Sequence, residues 1–164
     1  MTFYKTHYSR RGNIARIFCK VFLFASTFLA GCLISDFSYA FNEADLARLL
    51  STKQCQWCNL HDADLSGAQL SGAQLSNASL TSTRLTNANL SRTNLSGAFL
   101  MNANLTGAKL IDAFLVNANL SNANLTDADF SGADLSGAIW TDGTKCEKKS
   151  FGECKQSNLL GEPK

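Results

Sequence analysis

The sequence predicts an all-β solenoid, a four-sided β-helix of about four coils with a short capping α-helix at its N-terminal end. Two observations carry this. A large apolar residue returns at every fifth position from Leu60 to Trp140 without a slip. Within that block, residues of opposite charge recur twenty positions apart. A third observation, a basic and then apolar N-terminus, sets where the folded part begins.

Residues 1–20 carry Lys5, Arg10, Arg11, Arg16 and Lys20 and no acid, and Val21–Ile34 is a run of fourteen residues without a charge. Ser38-Tyr39-Ala40 then places small residues at the −3 and −1 positions of a cleavage site, so residues 1–40 read as a secretory signal peptide. A helix of that apolar run spans ~21 Å, short of the ~30 Å hydrocarbon core that an anchor must cross. Leu29-Ala30-Gly31-Cys32 offers a rival exit: it resembles the lipobox of bacterial lipoproteins, with Cys32 as the lipidated residue. Leu33 and Ile34 continue the apolar run past that cysteine, which favours the cut after Ala40. Arg10-Arg11 lacks the apolar residues that follow a twin-arginine signal. Every route leads out of the cytoplasm, to a periplasm or a thylakoid lumen, or to a lipid tether on a membrane.

Residues 41–54 form the next element. Asn42 is placed to cap a helix, and Asp45 lies near its positive end. Phe41 and Leu46 are spaced as a hydrophobic staple. Leu46, Leu49 and Leu50 make the apolar face expected to cover the first coil. A solenoid needs such lids, because its open ends otherwise polymerise.

The repeat block spans residues 55–142. Its centres are Leu60, then every fifth residue to Leu125, then Phe130, Leu135 and Trp140. Two positions before each centre stands a small residue: Cys58, Thr83, Thr93, or Ala elsewhere. The position just before the centre is mostly Asn or Asp. A period of five matches neither the 3.6 of a helix nor the 2 of a long strand. It does match very short extended segments joined by tight corners, for which Asn, Asp and Gly are suited because they tolerate left-handed backbone. The charges give the number of sides. Arg84 stands twenty residues from Asp64, Arg92 from Asp112, and Lys109 from Asp129. Twenty residues are four repeats, so the helix is four-sided and residues twenty apart stack ~4.8 Å apart. Exposed pairs of this kind stabilise by only ~0–1 kcal/mol, so they report register rather than strength.

The tandem pattern, as in Ala103-Asn104-Leu105-Thr106-Gly107 and Ala128-Asp129-Phe130-Ser131-Gly132, resembles the pentapeptide-repeat proteins. The resemblance implies a right-handed quadrilateral β-helix with the centre residues stacked inside. It also implies that lumenal or periplasmic residence is plausible, since some secreted members of the family sit in the cyanobacterial thylakoid lumen.

Residues 143–164 read as a partly ordered tail after the turn at Asp142-Gly143. Cys146 and Cys154 lie in it, and a disulfide between them is expected in an oxidising compartment. Cys55 and Cys58 fall in inward phases, where a strained local disulfide competes with buried free thiols. One zinc ion shared by all four is excluded, because the pairs sit at opposite ends, ~20 Å apart.

Composition and motifs exclude several functions. Charged residues make up 17% of the 164 residues, and the formal net charge is +2. Without residues 1–40 the balance is 10 basic against 12 acidic residues, or −2, so the basic excess belongs to the signal. This is not a nucleic-acid-binding balance. After cleavage His61 is the one histidine, beside Asp62 and Asp64, and reads as first-coil surface rather than a catalytic or metal site. No phosphate loop appears. No enzyme, cofactor or metal is expected.

Phe99, Met101, Ile111, Phe114 and Val116 occupy outward phases where other repeats are polar. They are the candidate patch for a protein partner of unknown identity. The expected role is therefore a structural or interaction module. The alternative is a DNA mimic acting on DNA gyrase, as some pentapeptide-repeat proteins do. That role calls for a cytoplasmic, strongly acidic molecule, whereas residues 60–140 hold six Asp against three basic residues.

Overall fold

The computed structural model describes residues 41–156. The expected signal segment 1–40, with Cys32, and residues 157–164 lie outside the described residues.

Helix α1 is Glu43–Thr52. Asn42 caps it, its side chain accepting from the Ala44 N–H at 2.9 Å, and Glu43 and Asp45 set negative charge in the first turn. The helix stops at Lys53, which takes a left-handed conformation and donates its N–H to the Leu49 carbonyl. Leu49 is fully buried, and Phe41 and Leu46 pack partly buried against the same core. Leu50 departs from the expected apolar face and is exposed. One residue is ~100° of helix, so a lid resting on Leu46 and Leu49 turns Leu50 off the contact stripe.

From Gln54 onward the chain climbs in coils of twenty residues. Parallel bridges join Gln54 to Gln74, Asn59 to Ser79, Asp64 to Arg84 and Gln69 to Asn89, and the same offset continues to Asn119 with Ile139. Four sides follow. Side 1 carries Gln54, Gln74, Asn94, Phe114 and Asp134; side 2 carries Asn59, Ser79, Phe99, Asn119 and Ile139. Side 3 carries Asp64, Arg84, Asn104 and Asn124; side 4 carries Gln69, Asn89, Lys109 and Asp129. Each side is a two-bond ladder and each corner a tight turn. For example, Leu60 N–H donates to the Ser79 carbonyl (2.8 Å), Ser79 N–H to the Cys58 carbonyl (2.8 Å), and Ala63 N–H back to Leu60 (3.0 Å).

The repeat pattern is explained residue by residue. The centre leucines from Leu60 to Leu120 are at most 3% exposed, and each such burial stabilises by ~1.5–3 kcal/mol. The Asn or Asp before the centre accepts from the N–H two residues on, as Asn104 does from Thr106 (3.1 Å) and Asp129 from Ser131 (2.9 Å). Such Asx turns set the corner from the side chain. Two residues after each centre from Leu60 to Leu135 the backbone is left-handed, at Asp62, Asn77, Asn87, Gly97 and Gly107 among others. That geometry is why Gly, Asn and Asp crowd this position. At Gly97 a second constraint acts, because the Asn77 side-chain oxygen of the coil below occupies the space a Cβ would need. Thr83 and Thr93 take the buried small-residue phase and remain satisfied, donating to the Leu60 (2.9 Å) and Leu70 (2.8 Å) carbonyls.

At the C-terminal end Trp140 rests edge-on against Phe130, with ring centroids 5.5 Å apart. Gly143 is left-handed and turns the chain back on itself. Instead of trailing away, the segment then pairs antiparallel across two sides, Lys145 on Ile139 and Phe151 on Asp134.

Candidate interaction surface

Both cysteine pairs are oxidised, Cys55 to Cys58 and Cys146 to Cys154. The first replaces a centre leucine and a small residue with one cross-link inside the first coil, both sulfurs being buried. Around it α1 is fastened to the coil. Asp45 accepts from the Asn59 N–H at 2.8 Å and pairs with Arg48 at 2.9 Å, while the Arg48 guanidinium lies 2.9 Å from Cys58 Sγ. The second disulfide ties the two arms of the C-terminal segment. Among the described residues neither pair leaves a thiol for a metal.

The twenty-residue charge register is present. Arg84 and Asp64 meet at 3.0 Å, and Arg92 and Asp112 lie 3.7 Å apart. Lys109 stacks over Asp129 on side 4. Burial works against ionisation of Asp64, but hydrogen bonds from Ser66 and Arg84 outweigh it and hold its pKa below the usual value. Asp129 is lowered chiefly by its Ser131 hydrogen bonds, with help from the Lys109 charge, and Asp142 by its bonds from Thr144. His61 Nε2 lies 3.0 Å from Asp62 Oδ2 at the corner between sides 2 and 3. One coil on, the same corner carries Thr81 and Ser82, and Asp62 N–H donates to the Thr81 carbonyl at 3.0 Å.

All five residues of the candidate patch fall on sides 1 and 2 or the corners that bound them. Phe114 is on side 1 and Phe99 on side 2, with Val116 at the corner between. Ile111 and Met101 sit half-buried at the two outer corners. Sequence reasoning missed three more members. Ile139 shares side 2 with Phe99, in an outward phase that the five-residue register already marks. Trp57 is 75% exposed at the same corner as Val116, and Phe151 is 56% exposed over side 1. Trp57 carried a faint signal, a large aromatic at the corner phase; Phe151 lies out of register and carried none. The distribution is one-sided. Trp57, Phe99, Phe114 and Phe151 all belong to sides 1 and 2, whereas the ladder charges Asp64, Arg84, Lys109 and Asp129 belong to sides 3 and 4. Asp134 on side 1 and Lys145, paired with Ile139 on side 2, are the exceptions.

Comparison with known proteins fits this geometry. The family model described as pentapeptide repeats matches residues 58–97 and 98–137. The solved structure of alr5209, a pentapeptide repeat protein from Nostoc PCC 7120, is 36% identical with a TM-score of 0.54, covering 58% of this chain and 81% of that one. The chain belongs to the pentapeptide repeat family. Its fold is therefore the right-handed quadrilateral β-helix of these proteins. HetL, a pentapeptide repeat protein involved in heterocyst differentiation regulation in the cyanobacterium Nostoc sp. strain PCC 7120, is 42% identical with a TM-score of 0.52. That match covers 52% of this pentapeptide repeat chain but only 40% of HetL. No curated protein matches the sequence.

Proposed function

We propose that this chain is an exported, non-enzymatic pentapeptide-repeat protein that acts as an interaction module and receives a protein partner on sides 1 and 2. The observation that carries the reading is the segregation of exposed aromatics onto two adjacent, almost uncharged faces. Burying such faces away from Asp134 and Lys145 at their C-terminal end removes few ions from water, and exposed aromatics of this kind are the usual anchors of protein contacts. Export is supported by the basic–apolar–small pattern of residues 1–40 and by two disulfides, which persist in oxidising compartments.

The test compares two double variants as bait in extracts of the native compartment. Phe99→Ser with Phe114→Ser is expected to lose a cross-linked partner that Arg84→Ser with Lys109→Ser retains. Loss with both, or with neither, overturns the assignment. The intact mass of the native protein reports export directly. A start at Phe41 supports a soluble exported protein, a lipidated start at Cys32 a membrane-tethered one, and retention of Met1 overturns export.

A further inference from the structure

The two sulfurs of the Cys55–Cys58 disulfide meet opposite partners at the junction with α1. Cys55 Sγ lies 3.2 Å from the Asp45 carbonyl oxygen, which can only accept a hydrogen bond. Cys58 Sγ lies 2.9 Å from Arg48 Nη2, which can only donate one. A disulfide sulfur has no proton to give the carbonyl, and it is a weak acceptor for the guanidinium. Both contacts are therefore poorly used while the bond is closed. Reduction supplies what each one lacks: an S–H at Cys55 for the carbonyl, and a negative sulfur at Cys58 for the cation.

The charges around the pair bear on this assignment. From the helix, Arg48 and Asp45 face it. The same Nη2 lies 2.9 Å from Asp45 Oδ1, and Asp45 Oδ2 accepts from the Asn59 N–H at 2.8 Å. Asp45 thus offsets part of the Arg48 charge, but both its oxygens are engaged and Nη2 still reaches the sulfur. From the coil, His61 and Asp62 pair with each other at the next corner. Burial of both cysteines disfavours ionisation of either thiol. The guanidinium contact opposes this at Cys58 alone, so the two thiols are driven apart and one of them ionises first. Cys146–Cys154 is a reference within the same chain. Lys145 and Glu147 flank Cys146, and Glu153 and Lys155 flank Cys154, so charges of both signs stand beside it.

We propose that Cys55–Cys58 is a reversible dithiol–disulfide couple, with Cys58 as the thiolate and Cys55 as the thiol, that exchanges with an external dithiol reductant. One thiol of the reductant loses its proton to solvent, and its sulfur attacks Cys55 Sγ. The Cys55–Cys58 bond breaks, and its electron pair leaves with Cys58 as a thiolate held by Arg48. The reductant's second sulfur then closes on the first, and Cys55 departs with the proton of that second thiol. The protein gains two electrons and one proton, and the reductant leaves as a disulfide. Stabilising the reduced form in this way makes a couple easier to reduce than a structural disulfide. Both cysteines are buried at the junction with α1, so exchange waits on local opening of the helix.

The native chain is equilibrated with graded ratios of reduced to oxidised dithiothreitol, and each cysteine pair is read by alkylation and peptide mass. Cys55–Cys58 is expected to reach half reduction at a ratio roughly tenfold or more below the one Cys146–Cys154 requires. Arg48→Met is expected to move the first midpoint by about tenfold toward the disulfide, equivalent to one pKa unit at Cys58, and to leave the second unchanged. Arg48→Lys keeps a cation and is expected to retain most of the wild-type behaviour. In the reduced chain carrying Cys146→Ala with Cys154→Ala, thiolate absorbance should show one thiol ionising below the ordinary range, and Arg48→Met should return it there. Equal midpoints for the two pairs overturn the proposal, as does a first midpoint indifferent to Arg48→Met. So does a shift of both midpoints together, which would report a loosened fold rather than the sulfur contact. Two thiols titrating together in the ordinary range overturn it as well.

Discussion

The two ends of this β-helix meet the same requirement by different means. At the N-terminal end a helix lies across the first coil, and its contacts are specific. Leu49 fills the core, Asp45 takes the Asn59 N–H, and the Cys55–Cys58 disulfide holds the inward phase. At the C-terminal end no helix forms among the described residues. The chain reverses at Gly143 and lays backbone on two of the four sides, fastened by Cys146–Cys154. A helix satisfies its own backbone and offers the coil side chains. A strand offers the coil hydrogen bonds, and it covers only the sides it runs along. The first end is sealed by packing, the second by pairing, and Leu125 is only partly buried at the second.

Truncating the end layers breaks this comparison most directly. Leu60→Ala, under the helix, is expected to lower unfolding stability by ~2–5 kcal/mol, as for other fully buried leucines. Leu125→Ala is expected to cost less than half as much, and chemical denaturation of both variants checks the ratio. Equal losses would mean that the two ends are equally covered.

Breaking the disulfides comes next. Cys154→Ala removes a cross-link between residues eight apart, for which chain entropy gives ~2–3 kcal/mol. Cys58→Ala opens one of separation three, for which the same relation gives ~2 kcal/mol. Exchange mapping should show the first change confined to residues 133–156 and the second to α1 and the first coil. Unhooking the helix is smaller again. Asp45→Ala takes the acceptor from the Asn59 N–H and is expected to cost ~1–2 kcal/mol, read as a shift of the denaturation midpoint.

The smallest effect is the response to acid. Asp64, Asp129 and Asp142 all have native pKa values below the usual one. Stability from a carboxylate lowered in the native state is fully present above its unfolded pKa and drains as pH falls through the native value. Melting temperature should therefore be flat near neutrality and decline below the ordinary aspartate range. Asp129→Asn keeps an acceptor for Ser131 without a titrating charge, and should make that decline shallower.

Much of this molecule was legible before any coordinates. The inward stacking of Leu60 to Leu120, the four sides, and the Asp64–Arg84 register follow from counting. The Asn42 cap did too. The positions of Phe99 and Phe114 on adjacent sides follow from the same arithmetic, because an outward phase in a five-residue register has a definite side. Leu50 was misplaced because three leucines at helical spacing do not say how wide a strip the lid covers. Trp57 and Phe151 were missed for unlike reasons: one hid in a corner phase that is normally small, the other in a segment with no register at all.

By itself the sequence determined everything that repeats: the corner every five residues, the twenty-residue coil, the buried centres and the sidedness of the patch. Each repeat carries its own instructions, left-handed corner and Asx turn included, so local chemistry suffices and is copied along the chain. The tertiary structure alone decided the C-terminal closure, where Lys145 and Phe151 pair with Ile139 and Asp134 against the direction of every other bridge. That pairing is made by backbone groups that every residue possesses, and side-chain patterns do not announce it. It also brings Phe151 onto side 1, with Asp134 between it and Phe114, so the extent of the candidate surface is settled by where the chain returns rather than by how it repeats.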